Sequence, residues 1–128
     1  MKEYLLDTHA FLWFINADPQ LSINALDAIS VSENICYLSI ASLWEISIKL
    51  NLGKLQLKFP LADLKQQLDL NNIILLPIEF EDTTILSSLA LHHRDPFDRM
   101  IIAQSVNSNL TIITRDSHFS DYPIKTLW

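Results

Sequence analysis

Short β-prone runs alternate with longer stretches of helical periodicity along this chain, and that alternation leaves few folds open. The apolar runs predict strands at Glu3–Leu6, Cys36–Ser39, Ile74–Leu76, Thr111–Thr114 and Ile124–Leu127. Between them, apolar residues at three- and four-residue spacing, as in Leu43, Ile46 and Leu50, predict helices over Ser22–Ser30, Ala41–Leu50, Leu61–Leu70, Glu81–His92 and Phe97–Asn107. Strands that alternate with helices form βαβ units, whose helices cover both faces of a mainly parallel sheet. The expected fold is therefore a three-layer α/β/α sandwich with four to five central strands. No repeat or low-complexity tract interrupts it, so residues 1–128 read as one domain.

Two segments depart from the pattern. His9–Ile15 is apolar almost all round, with Phe11, Leu12, Trp13, Phe14 and Ile15 in succession, so it needs burial on a second side or a partner. Asn51–Phe59, with Gly53 and the alternating Lys54-Leu55-Gln56-Leu57-Lys58, reads as a turn and an irregular arm, free to grip a partner or to pack on its own core. Pro60 then opens the next helix, where its missing N–H does no harm.

Composition removes several functions. Gly53 is the only glycine, which excludes the glycine-rich dinucleotide fingerprint and the P-loop. Cys36 is the only cysteine, so neither an intrachain disulfide nor a cysteine zinc cluster can form, and a reducing compartment is expected. The start, Met1-Lys2-Glu3-Tyr4-Leu5-Leu6-Asp7, does not resemble a secretory signal, and the longest apolar run, Ala10 to Ile15, is too short to span a bilayer. These features predict a cytoplasmic protein with no membrane partner. The formal charge of −6 argues against a broad basic surface for nucleic acid, although it leaves room for a local site.

The chemistry is carried by acids at the ends of the apolar runs. Asp7 closes the first strand, Asp116 lies just past the fourth, and Glu45 and Asp98 stand near the starts of helices. Each has a structural role open to it. Asp7 can cap a helix, Ser42-Leu43-Trp44-Glu45 matches a capping box, Asp95-Pro96-Phe97-Asp98 puts Asp95 at a cap with Asp98 in the first turn, and Asp116 can form an Asx turn. Jointly they say more. Open α/β sheets build their ligand crevice beyond the carboxyl ends of the strands, so the same capping positions would aim several carboxylates into one hollow. Two carboxylates about 5 Å apart at an effective dielectric of about 20 repel by roughly 3 kcal/mol, so such a group either neutralises or recruits a cation. All-oxygen ligands favour Mg²⁺ or Mn²⁺ over zinc.

Other catalytic arrangements find little support. His9, His92, His93 and His118 lack the H-E-x-x-H spacing; His93 draws notice only because it precedes Arg94-Asp95-Pro96-Phe97-Asp98. Ser39, Ser42 and Thr114 show no base partner, which disfavours a Ser-His-Asp hydrolase. Arg99 and Arg115, each next to one of the acids, are candidates for contacts to substrate phosphates or for simple charge balance.

The runs Leu5-Leu6-Asp7-Thr8-His9, Ser42-Leu43-Trp44-Glu45-Ile46, His93-Arg94-Asp95-Pro96-Phe97-Asp98-Arg99-Met100-Ile101-Ile102-Ala103-Gln104 and Thr114-Arg115-Asp116, in that order, resemble the PIN-domain nucleases, and especially the VapC-type toxins of bacterial toxin–antitoxin pairs. The resemblance implies a PIN-like α/β/α domain whose acids bind Mg²⁺ or Mn²⁺ and hydrolyse RNA phosphodiester bonds. Asp7, Glu45, Asp98 and Asp116 match the four acids of that family, as metal ligands and catalytic groups together. A homodimer and a cognate antitoxin are implied as well.

Two rivals remain. A haloacid-dehalogenase-like phosphatase needs a second Asp two residues after the first, where this chain has His9. A degenerate, non-catalytic α/β interaction domain would use the acids only as caps.

Overall fold

The computed structural model describes all residues from Met1 to Trp128. Five strands, β1 (Glu3–Leu6), β2 (Ile35–Ser39), β3 (Ile73–Leu76), β4 (Thr111–Ile113) and β5 (Thr126–Leu127), form one sheet. Their order is β3-β2-β1-β4-β5, and every pairing is parallel. The chain runs outward from β1 through β2 to β3, then returns to the other side of β1 for β4 and β5. The order therefore reverses between β1 and β4, and open parallel sheets bind ligands at such a switch point.

Six α-helices cover the sheet: α1 (Thr8–Ile15), α2 (Ile23–Ser30), α3 (Ile40–Asn51), α4 (Leu64–Leu70), α5 (Phe80–Ser87) and α6 (Pro96–Ser108). Successive strand residues point to opposite faces. Tyr4 and Leu6 accordingly enter one core with Phe11, Leu12, Ile29, Leu38 and Ile46, while Leu5 enters the other with Ile101, Ile102, Ile112 and Phe119. Two apolar faces make three layers, as the strand and helix alternation predicts. No helix is long and apolar enough to cross a membrane.

The departures from expectation have local causes. The all-apolar segment is α1, which buries Ala10, Phe11 and Leu12 and lays Phe14 and Ile15 against the same core. The arm after Gly53 packs inward through Leu55, Leu57 and Phe59, and Lys58 Nζ donates to the Asn16 carbonyl at 2.7 Å. The expected helix Glu81–His92 ends at Ser87, because the carbonyls of Leu89, Ala90 and His93 turn to accept from the Arg99 guanidinium. Helix α3 starts earlier than its apolar pattern suggests. Ser39 caps it, its Oγ accepting from the Ala41 N–H at 3.0 Å, so Ser42 and Glu45 lie inside the helix and form no capping box.

Helix α2 offers a direct check on capping. Ser22 Oγ accepts from the Ala25 N–H at 3.1 Å, and losing such a bond costs about 1 kcal/mol. Ser22→Ala is expected to lower the unfolding free energy by that amount, read as a lower urea midpoint with an unchanged m-value.

Candidate functional site

The register places the end of β1 level with its neighbours. Leu6 pairs with Leu38 on one side and Ile113 on the other, so Asp7 and Thr114 leave the sheet together, level with Ser39, the last residue of β2. Asp7 then turns into α1. Its Oδ1 accepts the Ala10 N–H at 2.7 Å, and its Oδ2 accepts the Thr114 hydroxyl at 2.5 Å. Thr114 Oγ1 also accepts the Asp116 N–H at 3.0 Å, so one hydroxyl ties the first acid to the loop that carries the last.

On the other side, Thr8 reaches α3. Its hydroxyl donates to Glu45 Oε1 at 2.7 Å and lies 3.0 Å from Ser42 Oγ, while Lys49 Nζ donates to Glu45 Oε2 at 2.8 Å. Glu45 thus projects from the buried side of α3 instead of capping it, and like Asp7 it is buried. Asp98 lies in the first turn of α6, behind Asp95, whose Oδ1 accepts the N–H groups of Phe97 and Asp98 at 2.9 and 3.0 Å. The residues directly before Glu45 and Asp98 meet edge to face, the Trp44 and Phe97 rings 5.3 Å apart, and so join the middle of α3 to the start of α6. Asp116 caps the short 3₁₀ turn Ser117–Asp121.

The electrostatics record this convergence. Burial, then the charges of Asp95, Asp7, Glu45 and Asp116, push the Asp98 carboxyl up to about 8. Burial also raises Asp7, against the hydrogen bonds from Thr114 and Ala10 and the charge of His9, with Asp116 adding to the rise. Partial burial of Asp116 opposes its ionisation, but the His118 backbone N–H and ring outweigh it and hold that carboxyl below its ordinary value. Asp98 thus feels all three other acids.

The four do not form a finished cage, since no three carboxylate or histidine side chains are already set to hold an ion. They do supply the donors a hard cation needs. All are oxygens, an ionised carboxylate has lone pairs beyond the bonds described, and Asp98 accepts no hydrogen bond at all. A cleft of about 310 Å³ lined by Asp7, His9, Trp13, Arg115 and Asp116 opens beside them. A larger apolar groove, about 490 Å³ between α3 and α4, touches none of the acids.

The two arginines part company. Arg99 spends its guanidinium inside the protein, on the carbonyls of Leu89, Ala90 and His93 and on the Tyr122 hydroxyl, which leaves little for a phosphate. Arg115 is exposed, its guanidinium 4.5 Å over the Trp13 ring at the rim of the cleft. Sequence reasoning overlooked Thr8, Lys49 and Thr114 as supports for the acids. The one available signal was position, since Thr8 follows Asp7 directly and Thr114 precedes Asp116 by two residues.

A parallel α/β/α sheet with carboxylates converging at its switch point defines a class of acidic-crevice domains. The model of the PIN domain family matches residues 4–125, and the chain belongs to that family, whose members are generally nucleases. No curated protein matches it in sequence. Among solved structures it is similar to a chain of VapBC2 from Rickettsia felis, crystallised with a DNA fragment of its promoter, at 16% identity and a TM-score of 0.75 over 98% of this chain and 97% of that one. It is also similar to a chain of FitAcB from Neisseria gonorrhoeae, at 21% identity and 0.67 over 98% and 96%. A toxin–antitoxin complex from Klebsiella pneumoniae gives 15% identity and 0.66 over 98% and 96%. At these identities the likeness concerns the fold.

Proposed function

We propose that this chain is one Mg²⁺- or Mn²⁺-dependent endoribonuclease domain, the cytoplasmic toxin of a toxin–antitoxin pair. The observation that carries the reading is Asp98, whose half-buried carboxyl accepts no hydrogen bond and is pushed up to about 8 by desolvation and by four other acids. A helix cap would not account for this. Asp7, Asp95 and Asp116 do accept capping N–H groups, but neither Glu45 nor Asp98 does. Two acids held in a crowded anionic crevice without a capping duty favour a cation site over the non-catalytic interaction domain.

In this reading Asp7, Glu45, Asp98 and Asp116 hold the cation. When bound, it would polarise the scissile phosphate and render water more acidic. The chain's own groups do the rest. Thr114 and Thr8 fix the carboxylates of Asp7 and Glu45 in place, Lys49 balances the charge of Glu45, and Arg115 at the cleft rim is free to meet a flanking phosphate. The toxin role and the antitoxin rest on the similar solved complexes. Exposed Trp44, Ile48 and Leu61, beside the groove between α3 and α4, support an apolar protein partner close to Glu45. A homodimer belongs to the same proposal.

The test is incubation of the purified protein with single-stranded RNA and Mn²⁺. Internal cleavage that EDTA abolishes, with no hydrolysis of a small phosphomonoester, is expected. RNA left intact by well-folded protein would overturn the nuclease reading, and monoester turnover would favour a phosphatase.

A further inference from the structure

Beside Asp98 the hydrogen bonds determine the state of a histidine. The Tyr122 hydroxyl oxygen faces three groups that can only donate: the backbone N–H of His92 at 3.2 Å, that of His93 at 3.2 Å and Arg99 Nη1 at 3.2 Å. These use its acceptor capacity, so its single proton must go to an acceptor, and His93 Nδ1 lies 2.9 Å away. A neutral imidazole that accepts at Nδ1 carries its proton on Nε2. That Nε2 is shut off from solvent and has no hydrogen-bond partner, and the carboxylate oxygen it faces is Asp98 Oδ2, at 3.6 Å. The ring is held on several sides, stacked on His118 at 5.9 Å and tilted against Phe119 and Tyr122 at 6.0 and 5.5 Å.

We propose that His93 is a positioning residue: a neutral imidazole, locked by Tyr122 in the Nε2–H form, whose N–H orients Asp98 Oδ2 and leaves the other carboxylate oxygen to the cation. The inference rests on the metal site proposed above and adds the group that orients one of its ligands. A 3.6 Å contact is longer than a formed hydrogen bond, and contacts of this kind often tighten once an active site is filled. The arrangement also explains Arg99 and Tyr122, whose side chains hold the segment between α5 and α6 and set the tautomer while hydrogen-bonding to no carboxylate.

Two measurements on the whole chain test this. Long-range ¹⁵N–¹H correlation spectra at a pH where His93 is neutral are expected to show Nδ1 unprotonated and Nε2 protonated. Mn²⁺ binding followed by electron paramagnetic resonance is expected to weaken by about 10- to 100-fold in His93→Asn, the usual effect of removing a group that orients a metal ligand. His93→Gln, which restores an N–H near the Nε2 position, is expected to recover most of that loss. The proposal is overturned by the opposite tautomer, by wild-type affinity in His93→Asn, or by equal weakening in both variants with a lowered melting temperature. If the wild-type protein itself binds no Mn²⁺, the metal reading fails and this inference fails with it. Normal wild-type binding with an unaffected Asn variant removes this inference alone.

Discussion

Asp7→Asn is expected to reduce Mn²⁺-dependent RNA cleavage by about 10³-fold or more while leaving the melting temperature equal to or above that of wild type. The two halves of this result separate function from fold. Asn caps a helix as well as Asp, so the bond from the Ala10 N–H survives, and the new amide can donate to Thr114 Oγ1 in place of the bond it received. The substitution also removes a buried charge that desolvation already penalises. In the proposed site it takes away an anionic ligand. Several kcal/mol of cation-derived transition-state stabilisation would depend on that ligand, at about a factor of ten in rate per 1.4 kcal/mol. Thermal melts and gel-based cleavage of one RNA measure both halves. A variant with full activity would exclude Asp7 from the site.

Cation affinity should rise steeply with pH and then level off near pH 8. In the folded, cation-free protein Asp98 keeps its proton up to about 8, against an ordinary value of 3.8. A cation has to displace that proton, so affinity is expected to climb by about tenfold per pH unit between pH 6 and 8, with one proton released per ion bound. Stability follows the opposite course. Between the two values the folded state binds more protons than the unfolded chain, so the contribution of Asp98 is fully present below about pH 4 and is lost as pH rises through about 8. The loss amounts to a few kcal/mol, reduced by the 21% exposure of the side chain, and cation binding reverses it. Titration calorimetry with Mg²⁺ at several pH values, together with cation-free denaturation over the same range, measures both trends. Affinity that stays flat from pH 6 to 8 would remove Asp98 from the ligand set.

The strands and most helices were legible because their signals are local. Alternation between strand and helix periods fixes the layers, and the caps at Asp7, Asp95 and Asp116 follow from short-range chemistry. The misread places share a cause, which is control from a distant residue. The helix expected to reach His92 stops at Ser87, where Arg99, in α6, gathers the carbonyls that follow. The capping box at Ser42–Glu45 was locally plausible, but Ser39 starts the helix first and Glu45 is drawn instead to Thr8, 37 residues away.

The sequence by itself determined the layered parallel fold, the acids at strand and helix ends, and the ligand chemistry that carboxylates impose, since periodicity and side-chain type are properties of short stretches of chain. Only the tertiary structure decided how those acids are held. The shared hydroxyl of Thr114, the half-buried Asp98 carboxyl facing His93, the withdrawal of Arg99 into carbonyl bonds and the tautomer proposed for His93 all depend on partners brought together by tertiary folding, and desolvation exists only once the layers have closed over them.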